Sequence, residues 1–283
     1  VTSVSELSGR AWIEGLGDEL AGQRRLLEGL LGFCEQDHEV AWLVVGCSLA
    51  RGNADALSDL DLALGVERPE RDGTVGRVHR ALLDLGDPVD SISHRLPGGH
   101  RRIFVQYADR TQIDLVLGPA TASFPAPTVV LYDPEAAVTV GGSTPGVAPP
   151  ALREWAFLAC AALADVGKYL RRRSAWEAHA RLGTARDELW KLVAVALGVP
   201  DPCYGLTSIV DFAPEQVPAG MQATVAGLDL DALTAAAVAA ADLLAHVTRQ
   251  LAPTTAVELP VGMLAYVTAE LAALNTTRRA PTC

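Results

Sequence analysis

Apolar residues in the first part of the chain recur with two different periods. Over residues 18–37, DELAGQRRLLEGLLGFCEQD, Leu20, Leu26, Leu27, Leu30, Leu31 and Cys34 stand at helical spacing with charges between them, which predicts a helix packed on a sheet. Two strand-like runs follow, Val40 to Gly46 and Leu60 to Leu64, joined by the polar segment RGNADALS. Residues 71–85 return to helical spacing, with Val75, Val78, Leu82, Leu83 and Leu85 as the buried stripe and Gly86 as the stop. VDSISHRL, RRIFVQYAD and TQIDLVLG then read as three strands, the first two separated by a turn at Pro97, Gly98 and Gly99.

From about 119 to 150 the chain becomes rich in Pro, Gly, Ala, Ser and Thr and reads as a connector with one strand candidate, TVVLYD. Beyond it the spacing is helical over 150–172, 175–197, 229–251 and 260–275, with a less regular stretch at 204–226. The fold class expected is α/β (α+β): a first domain with a mixed sheet over residues 1–148, then an all-α helical-bundle domain over 149–283.

Charge narrows the partners. The net charge is -11, and from Pro150 onward 13 acids face 11 Lys or Arg, so most of the excess acid, 21 against 12, lies in the first part. That balance is a poor match for gripping long nucleic acid by its phosphates and suits a cationic acceptor better. The five cysteines are scattered singly, without zinc spacing, and read as reduced thiols, mostly small core residues. The start carries Glu6, Arg10 and Glu14 instead of a basic end and an apolar run, and the apolar stretch near 232–247 is interrupted by Asp242 and reads as too short for a bilayer. A cytoplasmic protein with no membrane partner is expected.

The candidate chemistry sits in residues 42–64, WLVVGCSLARGNADALSDLDLAL. Side chains alternate along a strand, so Asp59 and Asp61 share one face while Leu60 and Leu62 point to a core. Carboxylates that close repel unless a cation lies between them, and such oxygen ligands suit Mg²⁺. The turn before them offers backbone N–H groups and the Ser48 hydroxyl to a phosphate oxygen. A second D-x-D, Asp229 and Asp231, precedes an Ala-rich helical run and is expected to cap it instead.

The glycine-serine turn and D-x-D strand resemble the DNA polymerase β-like nucleotidyltransferase superfamily, and the S-L-A-R-G continuation looks most like the bacterial enzymes that adenylylate aminoglycosides and lincosamides. Cys47, between Gly46 and Ser48, departs from the usual Gly-Ser or Gly-Gly-Ser. The resemblance implies a Mg²⁺-dependent transfer of a nucleoside monophosphate, AMP from ATP foremost, to a hydroxyl of a small molecule with release of pyrophosphate. It assigns two metal ions to Asp59, Asp61 and Asp114, the last matching the superfamily's third acid on a later strand; Asp90 and Asp109 are weaker contenders. Gly46, Ser48 and Arg51 would bind the nucleotide.

The resemblance also implies that the helical domain chooses the acceptor. Lys168 and Arg172 would either hold the triphosphate, as basic residues of the helical domain do in related enzymes, or simply favour the helix dipole at its C-terminus, and Glu154 or Asp165 would act as base if Asp114 does not. Lys168 and Lys191 are the only lysines, and Lys168 shares a helical face with Arg171 and Arg172. Trp176, Glu177, Arg181, Arg186, Asp187 and Trp190 read mostly as core aromatics and solvated charges, and His94 and His100 as hairpin residues. A protein or RNA acceptor, or a nucleotide-binding sensor without chemistry, stays open, as does monomer or homodimer.

Overall fold

Alternation decides the first sheet. Leu60, Leu62 and Leu64 are buried while Asp61 and Ala63 between them are only partly so. Ile103, Val105 and Tyr107, and Ile113, Leu115 and Leu117, repeat the pattern, so each strand carries one apolar and one polar face. The computed structural model describes residues 9–96, 100–141, 148–253 and 258–279; the Pro97-Gly98-Gly99 turn lies outside them. The chain divides into two units, Val1–Ser143 and Thr144–Cys283.

In the first unit the order is α1 (Gly9–Glu14), α2 (Ala21–Gln36), β1 (Val40–Val45), α3 (Cys47–Arg51), β2 (Leu60–Val66), α4 (Asp72–Leu83), β3 (Pro88–Arg95), β4 (Arg101–Tyr107), β5 (Gln112–Gly118), β6 (Ala122–Phe124), β7 (Val129–Tyr132) and β8 (Val138–Val140). Among the described residues a six-stranded sheet runs β3-β4-β5-β2-β1-β7. It is mixed, with β2 and β5 parallel and the other neighbours antiparallel. Leu26, Leu27, Leu30, Leu31 and Cys34 of α2 and Val75, Val78 and Leu82 of α4 join the apolar strand face in one core.

Several expectations need correction. The segment after Gly46 is not an open turn but the short helix α3. α4 stops at Leu83, before Gly86; a Cβ on Gly86 would lie 2.9 Å from the Tyr107 ring, so its smallness serves that passage instead. The connector also holds β6 and β8, a parallel pair too short to show a period.

On the opposite face of the sheet, Trp42 of β1 lies across the ends of β2 and β5. Gly65 and Gly118, partners in register, make room for it: a Cβ on Gly65 would come within 2.1 Å of the indole and one on Gly118 within 3.2 Å. The indole Nε1 donates to the carbonyl of Ala120 at 3.1 Å, and Phe124 meets the ring edge-on at 5.2 Å.

The second unit is helical: α5 (Pro149–Arg171), α6 (Ala175–Leu197), α7 (Leu206–Phe212), α8 (Leu230–Leu251) and α9 (Val261–Arg279), with 3₁₀ turns through the irregular stretch. Leu163, Val166 and Leu170 of α5 share a core with Leu182, Leu189 and Leu192 of α6, Leu233 and Leu244 of α8, and Val267 and Leu271 of α9. Asp229 caps α8 as expected, its Oδ1 accepting from the amides of Asp231 and Ala232 at 3.0 and 2.8 Å. By length and composition α8, at 22 residues, could cross a membrane, against the shorter span read from sequence; Leu233, Ala237, Ala240, Leu244 and Leu251 are buried within the unit. Trp176, expected in the core, is 74% exposed.

Candidate functional site

The site begins where β1 gives way to α3. The amide of Gly46 donates to the carbonyl of Asp61 at 2.9 Å, tying the turn to the acid-bearing strand. Gly52, at φ 73, ends α3, with its amide and that of Asn53 donating to the carbonyls of Leu49 and Ser48 at 3.1 Å. A left-handed glycine is the usual way to close such a turn. Cys47 enters α3 at φ 50, a conformation uncommon for a residue with a Cβ. A Cβ on Gly46 would meet nothing nearer than the Asp61 carbonyl at 4.0 Å, so the chain itself does not require glycine there.

Parallel pairing of β2 with β5 sets Asp61 opposite Asp114 in register. Neighbouring strands lie about 4.8 Å apart, which brings the two carboxyl-bearing positions together on the face away from the helices. Burial pushes the Asp61 carboxyl above the usual carboxylate range, and the charge of Asp59 adds to this, followed by that of Asp114. A hydrogen bond from the Cys47 thiol and the charge of Arg102 pull the other way. The same contact acts on Cys47, whose thiol is pushed up to about 12, first by burial and then by the Asp61 carboxylate; Arg51 opposes the shift. Gly46, Cys47, Arg51, Asp59, Asp61 and Asp114 thus form one electrostatic neighbourhood, with Ser48 in α3 beside it.

Asp114 differs from expectation in one respect. Arg102 of β4 donates from Nε to its Oδ1 at 2.6 Å and from Nη2 to its Oδ2. Arg102 was not among the residues singled out by sequence. The register places it opposite Val116 and diagonal to Asp114, within reach of a long side chain. Both Asp114 oxygens thus accept from Arg102, and among the described residues no three Asp, Glu, His or Cys side chains are gathered as a metal-ligand set. Asp59 and Asp61 fit a divalent cation as a pair, since a cation would relieve the like charges that raise the Asp61 carboxyl.

A second residue missed by sequence is Gln23 of α2, which sits among apolar neighbours and reads as one polar position of an amphipathic helix. It is 2% exposed, and its Nε2 donates to the carbonyl of Ser58 at 2.8 Å. Asp55 and Ser58 close the same loop, Ser58 Oγ accepting from the Asp55 amide at 2.9 Å. The segment that delivers Asp59 is therefore pinned from both sides.

The remaining candidates are engaged locally. Asp109 accepts from Arg25 at 2.6 Å and from the Thr111 hydroxyl at 2.5 Å, and Asp90 accepts from the amide of Ser91 at 2.7 Å. In the helical unit Lys168 pairs with Asp165 and lies 4.7 Å from the centre of the Tyr169 ring, and Arg172 lies 6.0 Å from the same ring. Arg171 pairs with Glu270 at 2.7 Å.

No family model matches the chain, and no curated protein matches it. Among solved structures it is similar to an aminoglycoside 6-adenyltransferase from Bacillus subtilis, at 12% identity and a TM-score of 0.40, over 87% of this chain and 97% of the other. Likeness at that level assigns neither family nor activity.

Proposed function

We propose that the first unit is a nucleotidyltransferase that moves a nucleoside monophosphate, AMP from ATP foremost, onto a hydroxyl of a small molecule and releases pyrophosphate. The observation that carries this reading is the placement of Asp59 and Asp61 beside the α3 turn, with Asp114 opposite Asp61 in register. Gly46 adds support, because its open side leaves the backbone approachable by a group outside the chain. The resemblance of residues 42–64 to the antibiotic adenylyltransferases points to an aminoglycoside-like or lincosamide-like acceptor, and the acidic balance of this part of the chain agrees with a cationic one.

In this reading Asp59 and Asp61 hold Mg²⁺ and Asp114 completes the acidic set. Bound there, divalent cations supply charge neutralisation for the phosphoryl oxygens and for the attacking hydroxyl. Ser48 and the backbone of α3 orient the terminal phosphates, with Arg51 adding positive charge. Asp114 would take the acceptor's proton once its carboxylate is released from Arg102.

Pyrophosphate release from each of the four nucleoside triphosphates, measured with Mg²⁺ across aminoglycosides, lincosamides and other hydroxylated compounds, tests it. Release that requires an acceptor and is lost in Asp59→Asn and Asp61→Asn is the expected result. Undiminished turnover in either variant would remove the assignment. Nucleotide binding without transfer to any small acceptor would redirect it to a macromolecular acceptor or a sensor.

A further inference from the structure

We infer that Arg102 is a positioning residue that competes with a divalent cation for Asp114, so that the third carboxylate is shared between a guanidinium and the metal; this rests on the nucleotidyltransferase reading. The geometry points to it in three ways. Arg102 engages both Asp114 oxygens at once, in the fork arrangement that matches a carboxylate best. The Asp114 side chain is 11% exposed while that of Arg102 is 39% exposed, so the acid is fixed in place and its partner has solvent into which to turn. Finally, Asp114 stands in register with Asp61, so the carboxylate that Arg102 holds is the one next to the acidic pair.

The forked guanidinium takes one lone pair on each Asp114 oxygen, two of the carboxylate's four, and its charge repels a metal drawn to the remaining two. Recruiting Asp114 therefore requires Arg102 to turn away. An arginine present only to stabilise the sheet makes a different prediction: removing it would loosen the fold and leave metal affinity no better.

The test is Mn²⁺ binding to the full chain, read from the electron paramagnetic resonance signal of free Mn²⁺, for wild type, Arg102→Met, Asp114→Asn and the double variant. Asp59→Asn serves as the site control, and circular dichroism checks folding. Arg102→Met should bind Mn²⁺ roughly tenfold more tightly, about 1.4 kcal/mol, and the gain should vanish when Asp114→Asn is also present. Unchanged or weaker binding in Arg102→Met overturns the inference and leaves the nucleotidyltransferase reading standing. So does a gain that persists without the Asp114 carboxylate, which would mark a general charge effect. If neither wild type nor Arg102→Met binds Mn²⁺ in an Asp59-dependent way, the inference and that reading fall together.

Discussion

Gln23 and Ser58 are 35 residues apart in sequence, yet the side-chain amide of the first donates to the carbonyl of the second at 2.8 Å in a buried setting. The bond joins the main helix behind the sheet to the loop that delivers Asp59. Replacing Gln23 with Leu keeps the bulk and strands the loop carbonyls in an apolar environment. It should cost about 1–3 kcal/mol, seen as a lower urea midpoint at unchanged slope. An unchanged midpoint would mean that the loop is held by its own Asp55–Ser58 turn alone.

The raised Asp61 carboxyl has a sign that can be checked. Its affinity for a proton is higher in the folded chain than in the unfolded one. Between the ordinary carboxylate value and the raised one, the native state therefore holds more protons, and stability falls as pH rises through that window. In chelator, Asp61→Asn should be more stable than wild type at neutral pH and should lack this part of the pH slope. Thermal melts from pH 3 to 7 on both proteins would show it, and parallel curves would contradict it.

Cys47 as a residue reaches the surface, but its thiol is partly shielded and hydrogen-bonded to the Asp61 carboxylate, and it is pushed up to about 12. The thiolate is the reactive form, so on thiolate fraction iodoacetamide at pH 8 should alkylate Cys47 on the order of a thousandfold more slowly than an unperturbed cysteine. The rate should keep rising past pH 10. Because the Asp61 charge is part of the cause, Asp61→Asn should speed the reaction. Peptide mass spectrometry of timed samples reads both.

Two glycine-to-alanine changes should move stability in opposite directions. In Gly65→Ala the new methyl would fall 2.1 Å from a Trp42 ring that is 1% exposed and has nowhere to go, a cost of about 1–3 kcal/mol. Gly76, exposed within α4, has nothing within 4 Å of its Cβ position, and alanine there should stabilise by about 0.4–1 kcal/mol. Denaturant titration of the two variants gives the comparison.

Much of the first unit was legible because strand alternation is a local signal: Leu60 and Leu62 go inward and Asp61 outward whatever the partners of the strand are. The Asp229 cap was legible for the same reason, since an N-cap acts on amides two and three residues away. What escaped reading depends on pairing. Nothing around Arg102 names Asp114; only the antiparallel register of β4 with β5 sets them diagonally, although the even positions Arg102, Phe104 and Gln106 already marked the polar face. Gln23 escaped because its partners are backbone carbonyls, which no side-chain pattern advertises. α3 is illegible for a third reason: five residues are too few to show a period.

Trp42 also binds three distant positions into one heritable character. The indole fits because β2 and β5 both reach it at a glycine, so Gly65 is locked for as long as Trp42 is present and Gly118 is closely confined by it. A descendant that acquires alanine at 65 should have traded its tryptophan for something smaller first.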